Sequence, residues 1–147
     1  MKEKDFEIAM HNYFGVILRT RQDLRNRVQK MLENNGYFDI TLEMSQLLYC
    51  LRSLGGTANQ QELADKIGKN KSSITSLIEN LHKREMIVRK TDPTDRRHNL
   101  ISFTEKGDSF INDFYPEVYR TYNIDKMNIS LAEIVKITDI LEKLIIS

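Results

Sequence analysis

Apolar residues along this chain recur mostly every three or four positions, the spacing of one helix face. Phe6, Met10, Tyr13, Phe14, Ile17, Leu18, Leu24, Val28, Met31 and Leu32 form the first such stripe. It predicts one long amphipathic helix from about Lys4 to Glu33, stopped by Asn34-Asn35-Gly36, residues that tolerate left-handed backbone. Gly15 inside it costs about 1 kcal/mol relative to Ala but permits a close helix crossing. Met44, Leu47, Leu48, Leu51 and Leu54 mark a second helix, capped by Thr41 and ended by Gly55-Gly56. Phe110, Ile111, Phe114 and Val118 mark another after Thr104, in which Pro116 should produce a kink or shift. Residues 123–130 read as a turn, and Ser130 caps a final helix whose broad stripe runs from Leu131 to Ile145.

Between these lie the shorter elements around which the chain is organised. Asn59-Gln60-Gln61-Glu62 has capping-box form, a capping side chain followed three residues on by a carboxylate. Leu63, Ala64 and Ile67 give this helix a small buried face, and Gly68 stops it. Asn70 then caps a helix in which Ile74, Leu77, Ile78 and Leu81 form the apolar stripe. Lys71, Ser72, Thr75 and Ser76 fall off that stripe. Two short helices joined by a tight Gly turn predict a helix-turn-helix. Met86 to Lys90 and Asn99 to Phe103 read as strands, joined by the turn residues Asp92-Pro93-Thr94-Asp95, with Arg96, Arg97 and His98 at or just past the tip. The expected fold is mainly α with a small β-hairpin: a winged helix-turn-helix between long N- and C-terminal helices.

A chain of 147 residues is one domain by size and long enough for a stable core. The net charge of +1 says nothing about nucleic acid, but its distribution does. From Lys69 to Arg97 there are eight basic and four acidic residues, a net +4, so the remainder carries a net −3. Concentrating positive charge on the short helix and hairpin suits phosphate binding. The single cysteine, Cys50, excludes an intrachain disulfide. With neither a signal-peptide pattern nor an apolar run approaching a membrane span, a cytoplasmic protein is expected. His11, His82 and His98 lack metal-ligand spacing, and there is no Gly-rich phosphate loop or nucleophile elbow, so neither enzyme activity, a metal nor a cofactor is expected.

The run Asp92-Pro93-Thr94-Asp95-Arg96-Arg97, followed by Phe103-Thr104-Glu105-Lys106-Gly107, resembles the winged helix of the multiple-antibiotic-resistance regulator (MarR) family. The likeness spans nearly the whole chain, because the long flanking helices match the family plan. Asn70 and Glu85 stand where the family often has Ser and Gly. The resemblance implies a single domain over 1–147, with a winged helix at about 38–104 and a dimerisation region at about 4–36 and 105–147. It also implies a homodimeric, sequence-specific transcriptional regulator of double-stranded DNA. The expected action is that of a repressor on a palindromic operator, released by a small aromatic or phenolic effector. Lys71, Ser72, Ser73, Thr75 and Ser76 would face DNA. Of Arg96 and Arg97, one would reach the minor groove and the other pair with Asp92 or Asp95 to hold the wing, the family pattern favouring Arg96 for DNA.

The residues themselves support parts of this. Hydroxyl side chains are poor choices for an exposed helix interior, which favours a binding role for them. The terminal helices carry more apolar surface than a small winged helix can cover, which asks for a second subunit. Candidates to line an effector cleft are His11, Tyr13, Arg19 and Tyr49. Two alternatives remain at this stage: a winged-helix adaptor that binds protein rather than DNA, and a redox-responsive regulator acting through Cys50.

Overall fold

A computed structural model describes residues 2–95, 97, 99–122 and 124–145, without the side chains of residues 124 and 125. Helix α1 (Lys2–Asn34) is followed by α2 (Leu42–Ser53), β1 (Thr57–Asn59), α3 (Gln60–Ile67) and α4 (Lys71–Lys83). Strands β2 (Ile87–Thr91) and β3 (Asn99–Phe103) lead to α5 (Glu105–Arg120), α6 (Ile124–Met127) and α7 (Leu131–Leu144).

The helix starts follow from their caps. The side chains of Thr41, Asn59, Asn70, Thr104 and Ser130 each accept from the backbone N–H three residues on. Asn59 and Ser130 close full capping boxes with Glu62 and Glu133. Gly68, at φ +78°, ends α3 in left-handed geometry that a β-carbon would oppose. Glu85 adopts the same region at φ +58°, two residues past the end of α4 and next to its capping residue Arg84. Its position near the family's Gly thus has a conformational reason, and a non-Gly residue holds it at a cost of about 1 kcal/mol.

Two details differ from the sequence expectation, the strand count of the sheet and the turn at 123–130. The sheet has three strands in the order β1-β3-β2, all antiparallel, rather than a lone hairpin. A strand as short as β1 has no periodicity of its own; it exists through pairing, Ala58 lying opposite Ile101. Helix α5 runs continuously past Pro116, which removes one N–H from the ladder without ending the helix. The expected turn at 123–130 contains the short helix α6.

One buried cluster unites the middle of the chain. Val28 and Leu32 of α1 meet Leu47, Leu48 and Leu51 of α2, Leu63 of α3, and Ile74, Ile78 and Leu81 of α4. Ile87 and Ile101 enter from the sheet, and Phe110, Ile111, Phe114 and Val118 from α5. Each such side chain contributes roughly 1.5–3 kcal/mol on burial. The ends of the chain do not join in. No residue of α1 before Val28 and none of α7 is buried. No described helix is long and apolar enough to cross a membrane.

The closest approach lies where α5 meets the hairpin. A β-carbon on Gly107 would sit 2.0 Å from the Met86 carbonyl oxygen. The Thr104 hydroxyl donates to the Glu85 carbonyl at 2.5 Å, the Thr104 N–H donates to the Met86 carbonyl at 3.1 Å, and the Lys106 ammonium donates to the Arg84 carbonyl at 3.0 Å. Farther out, Arg84 pairs with Asp39 at 3.1 Å, and Arg52 of α2 pairs with Asp108 of α5 at 2.8 Å. These exposed pairs contribute little each; the backbone contacts carry the joint.

Cys50 belongs to the core at 7 % exposure. Burial pushes its thiol above the ordinary range, against a smaller opposite effect of Lys66. A sensor thiol needs the reverse, an accessible thiolate, so the geometry opposes the redox alternative. Two outcomes follow. Gly107→Ala should lower unfolding free energy in urea by about 3 kcal/mol or more, because backbone must move; a change under about 1 kcal/mol would remove the joint described above. Cys50 should react with a maleimide roughly tenfold or more slowly in the native protein than in the urea-unfolded chain, whereas equal rates would restore it as a sensor.

Candidate nucleic-acid interface

Helix α4 presents two faces. Ile74, Ile78 and Leu81 are in the core, while Lys71, Ser72, Ser73 and Ser76 are exposed. The cap explains why the exposed face stays open: Asn70 Oδ1 takes the Ser73 N–H at 2.9 Å, so the serine hydroxyls are not needed to end the helix.

Thr75 differs from the serines. Its hydroxyl donates to the Lys71 carbonyl at 2.9 Å and accepts from Gln60 Nε2 at 2.7 Å. The second bond crosses from α4 to the first residue of α3 and fixes one helix against the other. No local pattern in the sequence marks Gln60 for this role; its position at the helix start is explained equally well by solvent exposure.

The strands supply a facing wall. Side chains on a strand alternate between faces, so Ile87, Arg89 and Thr91 share one face, as do Asn99, Ile101 and Phe103 on the neighbouring strand. Near the base of the hairpin this face fills the core with Ile87 and Ile101. Farther out the core ends, and Arg89 and Asn99 continue the same face into solvent. There they oppose α3 and α4 across a groove of about 660 Å³. Gln60, Gln61, Ala64, Lys69, Asn70, Lys71 and Thr75 line one side, and Arg89, Arg97 and Asn99 the other. Four cations meet there, and none of the lining residues is a carboxylate. Arg89 and Asn99 were not singled out from the sequence, because only the sheet register brings them opposite Lys71, and Lys69 was not because it lies in the turn before α4.

The hairpin tip is built by its acids. Asp92 Oδ1 accepts from the Thr94 hydroxyl at 2.7 Å and from the Thr94 N–H at 2.8 Å. These bonds hold the Asp92 carboxyl below the usual carboxylate range. The turn is therefore favoured above that range and weakens as pH falls through the lowered value. Asp95 accepts the Arg97 N–H at 3.0 Å and holds its guanidinium through Nε and Nη2, both at 3.1 Å. Asp92 and Asp95 thus each accept hydrogen bonds within the loop, and among the described residues Arg97 pairs with Asp95. Its Nη1 stays clear of that pair, and Arg97 still lines the groove. The expected role of Arg96, with neighbouring His98, lies outside the described residues.

The effector candidates do not converge within one chain. His11, Tyr13 and Arg19 lie on the free part of α1, and Tyr49 lies on α2. Tyr49 packs instead against Tyr115, with tilted rings, and edge-on against Tyr119 of α5, with ring centroids 4.8 and 6.3 Å away. Burial pushes the Tyr115 phenol up to about 12. A smaller cavity of about 320 Å³ opens between α1 and the end of α5, against Arg27, Lys30, Met31, Asn34 and Thr121. None of the four candidates lines it or the basic groove.

Comparison with known proteins agrees with this architecture. The MarR family profile matches residues 40–98. The HTH-type transcriptional regulator MhqR of Bacillus subtilis is 30 % identical over 133 residues, which cover 90 % of this chain and 84 % of MhqR. In fold the chain is similar to the organohalide-sensing regulator RdhR in its ligand-free form, with a TM-score of 0.76, 20 % identity, and coverage of 92 % of this chain and 79 % of that one. That regulator has also been solved with 2,4-dichlorophenol bound. The MepR protein of S. aureus in complex with DNA aligns with a TM-score of 0.75 and 22 % identity, over 90 % of this chain and 94 % of that one. With the capped reading helix, the acid-braced hairpin and the basic groove in place, these matches establish that the chain belongs to the MarR family of winged-helix, DNA-binding transcriptional regulators.

Proposed function

We propose that this protein is a homodimeric transcriptional repressor that binds a palindromic operator and is released by a small aromatic or phenolic effector. The observation that carries the DNA-binding part is the groove between α4 and the hairpin, where Lys69, Lys71 and Arg89 converge with Arg97, itself paired with Asp95, and where none of the lining residues is a carboxylate. Lys69, Lys71 and Arg89 so placed repel one another, and a phosphodiester strand supplies compensating anions at regular spacing. The exposed serines of α4 then reach base edges or phosphates in the major groove, with Lys71 on phosphate or a guanine edge. Arg97, tied to Asp95, positions the wing, and Arg96 is the residue assigned to the minor groove.

Self-association rests on unpaired apolar surface. Phe6, Ile8, Phe14, Val16 and Leu18 on α1, and Leu131, Val135 and Ile137 on α7, are all about half exposed or more. Two helices with such faces demand a cover, and a second copy offers matching ones. On this reading the winged helix spans about 38–104, with 4–36 and 105–147 as the dimerisation region. A two-fold axis would set two reading helices in successive major grooves, hence the palindrome. A dimer on such a site blocks transcription by occupancy. His11, Tyr13, Arg19 and Tyr49 form an effector cleft only if a second chain brings the free part of α1 to Tyr49. The chlorophenol held by the fold neighbour RdhR supports a phenolic ligand class.

Lys71→Ala and Arg89→Ala should each weaken duplex binding several-fold and lower the slope of log affinity against log salt by about 1; unchanged affinity and slope in both would refute the assigned groove. Light scattering at micromolar concentration should give twice 17.3 kDa. Ile137→Lys should abolish that species, leaving monomer or unfolded chain, while a wild-type monomer would contradict the proposed dimer.

A further inference from the structure

The hydroxyl of Thr75 is already committed within the protein. Its proton goes to the Lys71 carbonyl and one lone pair to Gln60 Nε2. Among the hydroxyl residues of α4 assigned to DNA it therefore differs from the exposed Ser72, Ser73 and Ser76, whose hydroxyl groups make no such double contact among the described residues. Thr75 is nonetheless half-buried at the groove wall, in the middle of the face assigned to DNA. Beside one remaining lone pair, it has a methyl group to offer, held in place because the two hydrogen bonds fix the side-chain rotamer. A methyl in the major groove has one complementary base feature, the 5-methyl of thymine.

We propose that Thr75 is a specificity-determining residue that reads thymine through its methyl group, and that Gln60 is the positioning residue that turns its hydroxyl inward. This rests on the DNA-binding reading above and refines it. One lone pair of the Thr75 oxygen remains and could accept from a base amine, so the test must separate methyl from oxygen. Valine keeps the methyl and removes the oxygen; serine does the reverse.

Operator duplexes would first be selected from a randomised pool with the wild-type dimer. Each thymine would then be replaced by deoxyuridine, which deletes only the 5-methyl. At one position per half-site, wild type should lose roughly three- to fivefold in affinity on that replacement; Thr75→Val, which keeps a methyl without the two hydrogen bonds, should keep a smaller loss at the same position, and Thr75→Ser should be indifferent. Gln60→Ala should shrink the same response without changing it elsewhere, a readout that a purely structural role would not confine to one position. Thermal melts of the variants check that each is folded. If Thr75→Val loses the response and Thr75→Ser keeps it, or if no thymine is sensitive, the methyl assignment is overturned while the DNA reading stands. If the wild type selects no sequence at all, the DNA reading fails and this inference falls with it.

Discussion

The arrangement of this molecule depends on how closely the start of α5 approaches the end of α4. The Met86 carbonyl accepts from Thr104 and lies against the bare Cα of Gly107. Two neighbouring carbonyls, of Arg84 and Glu85, are taken by Lys106 and Thr104. The polypeptide leaving the reading helix, the base of the hairpin and the helix leading away from it are thereby joined at one point. Any side chain at Gly107 would force them apart. The reading helix and the wing cannot tilt independently of α5, which passes through the core and on towards α6 and α7.

This rigidity gives the exposed terminal helices a mechanical meaning. If α1 and α7 bury their apolar faces on a second copy, the spacing of the two basic grooves is fixed by that packing. A ligand or substitution that alters the packing would alter the spacing, and two grooves that miss successive turns of DNA bind much less well than two that match. Control of binding then needs no change inside either groove. Cys50 has no part in this, being sealed in α2 with its thiol disfavoured as a thiolate.

Much of the fold could be read from local chemistry. Asn59, Asn70, Thr104 and Ser130 announce helix starts because a cap is a contact across three residues. Gly68 announces a stop for the same local reason. What could not be read depends on partners distant in sequence. The strand β1 exists through Ile101, more than forty residues on. Arg89 joins the groove through the register of β2 on β3, and Gln60 matters through Thr75. Pro116 sits inside the helix that the apolar spacing predicts, and α5 is held by Phe110, Phe114 and Val118 on either side of it. The serines of α4 were legible as a polar face; that Thr75 lacks a free hydroxyl donor was not.

Hydrogen exchange of the protein with and without duplex DNA, taken from the region upstream of its own coding sequence, tests the location of the interface most directly. Protection should appear in residues 69–77 and 87–99, lining the groove and the wing, with α7 and the first half of α1 unchanged. Protection confined to α1 or α7, with α4 and the hairpin exchanging as in the free protein, would contradict it.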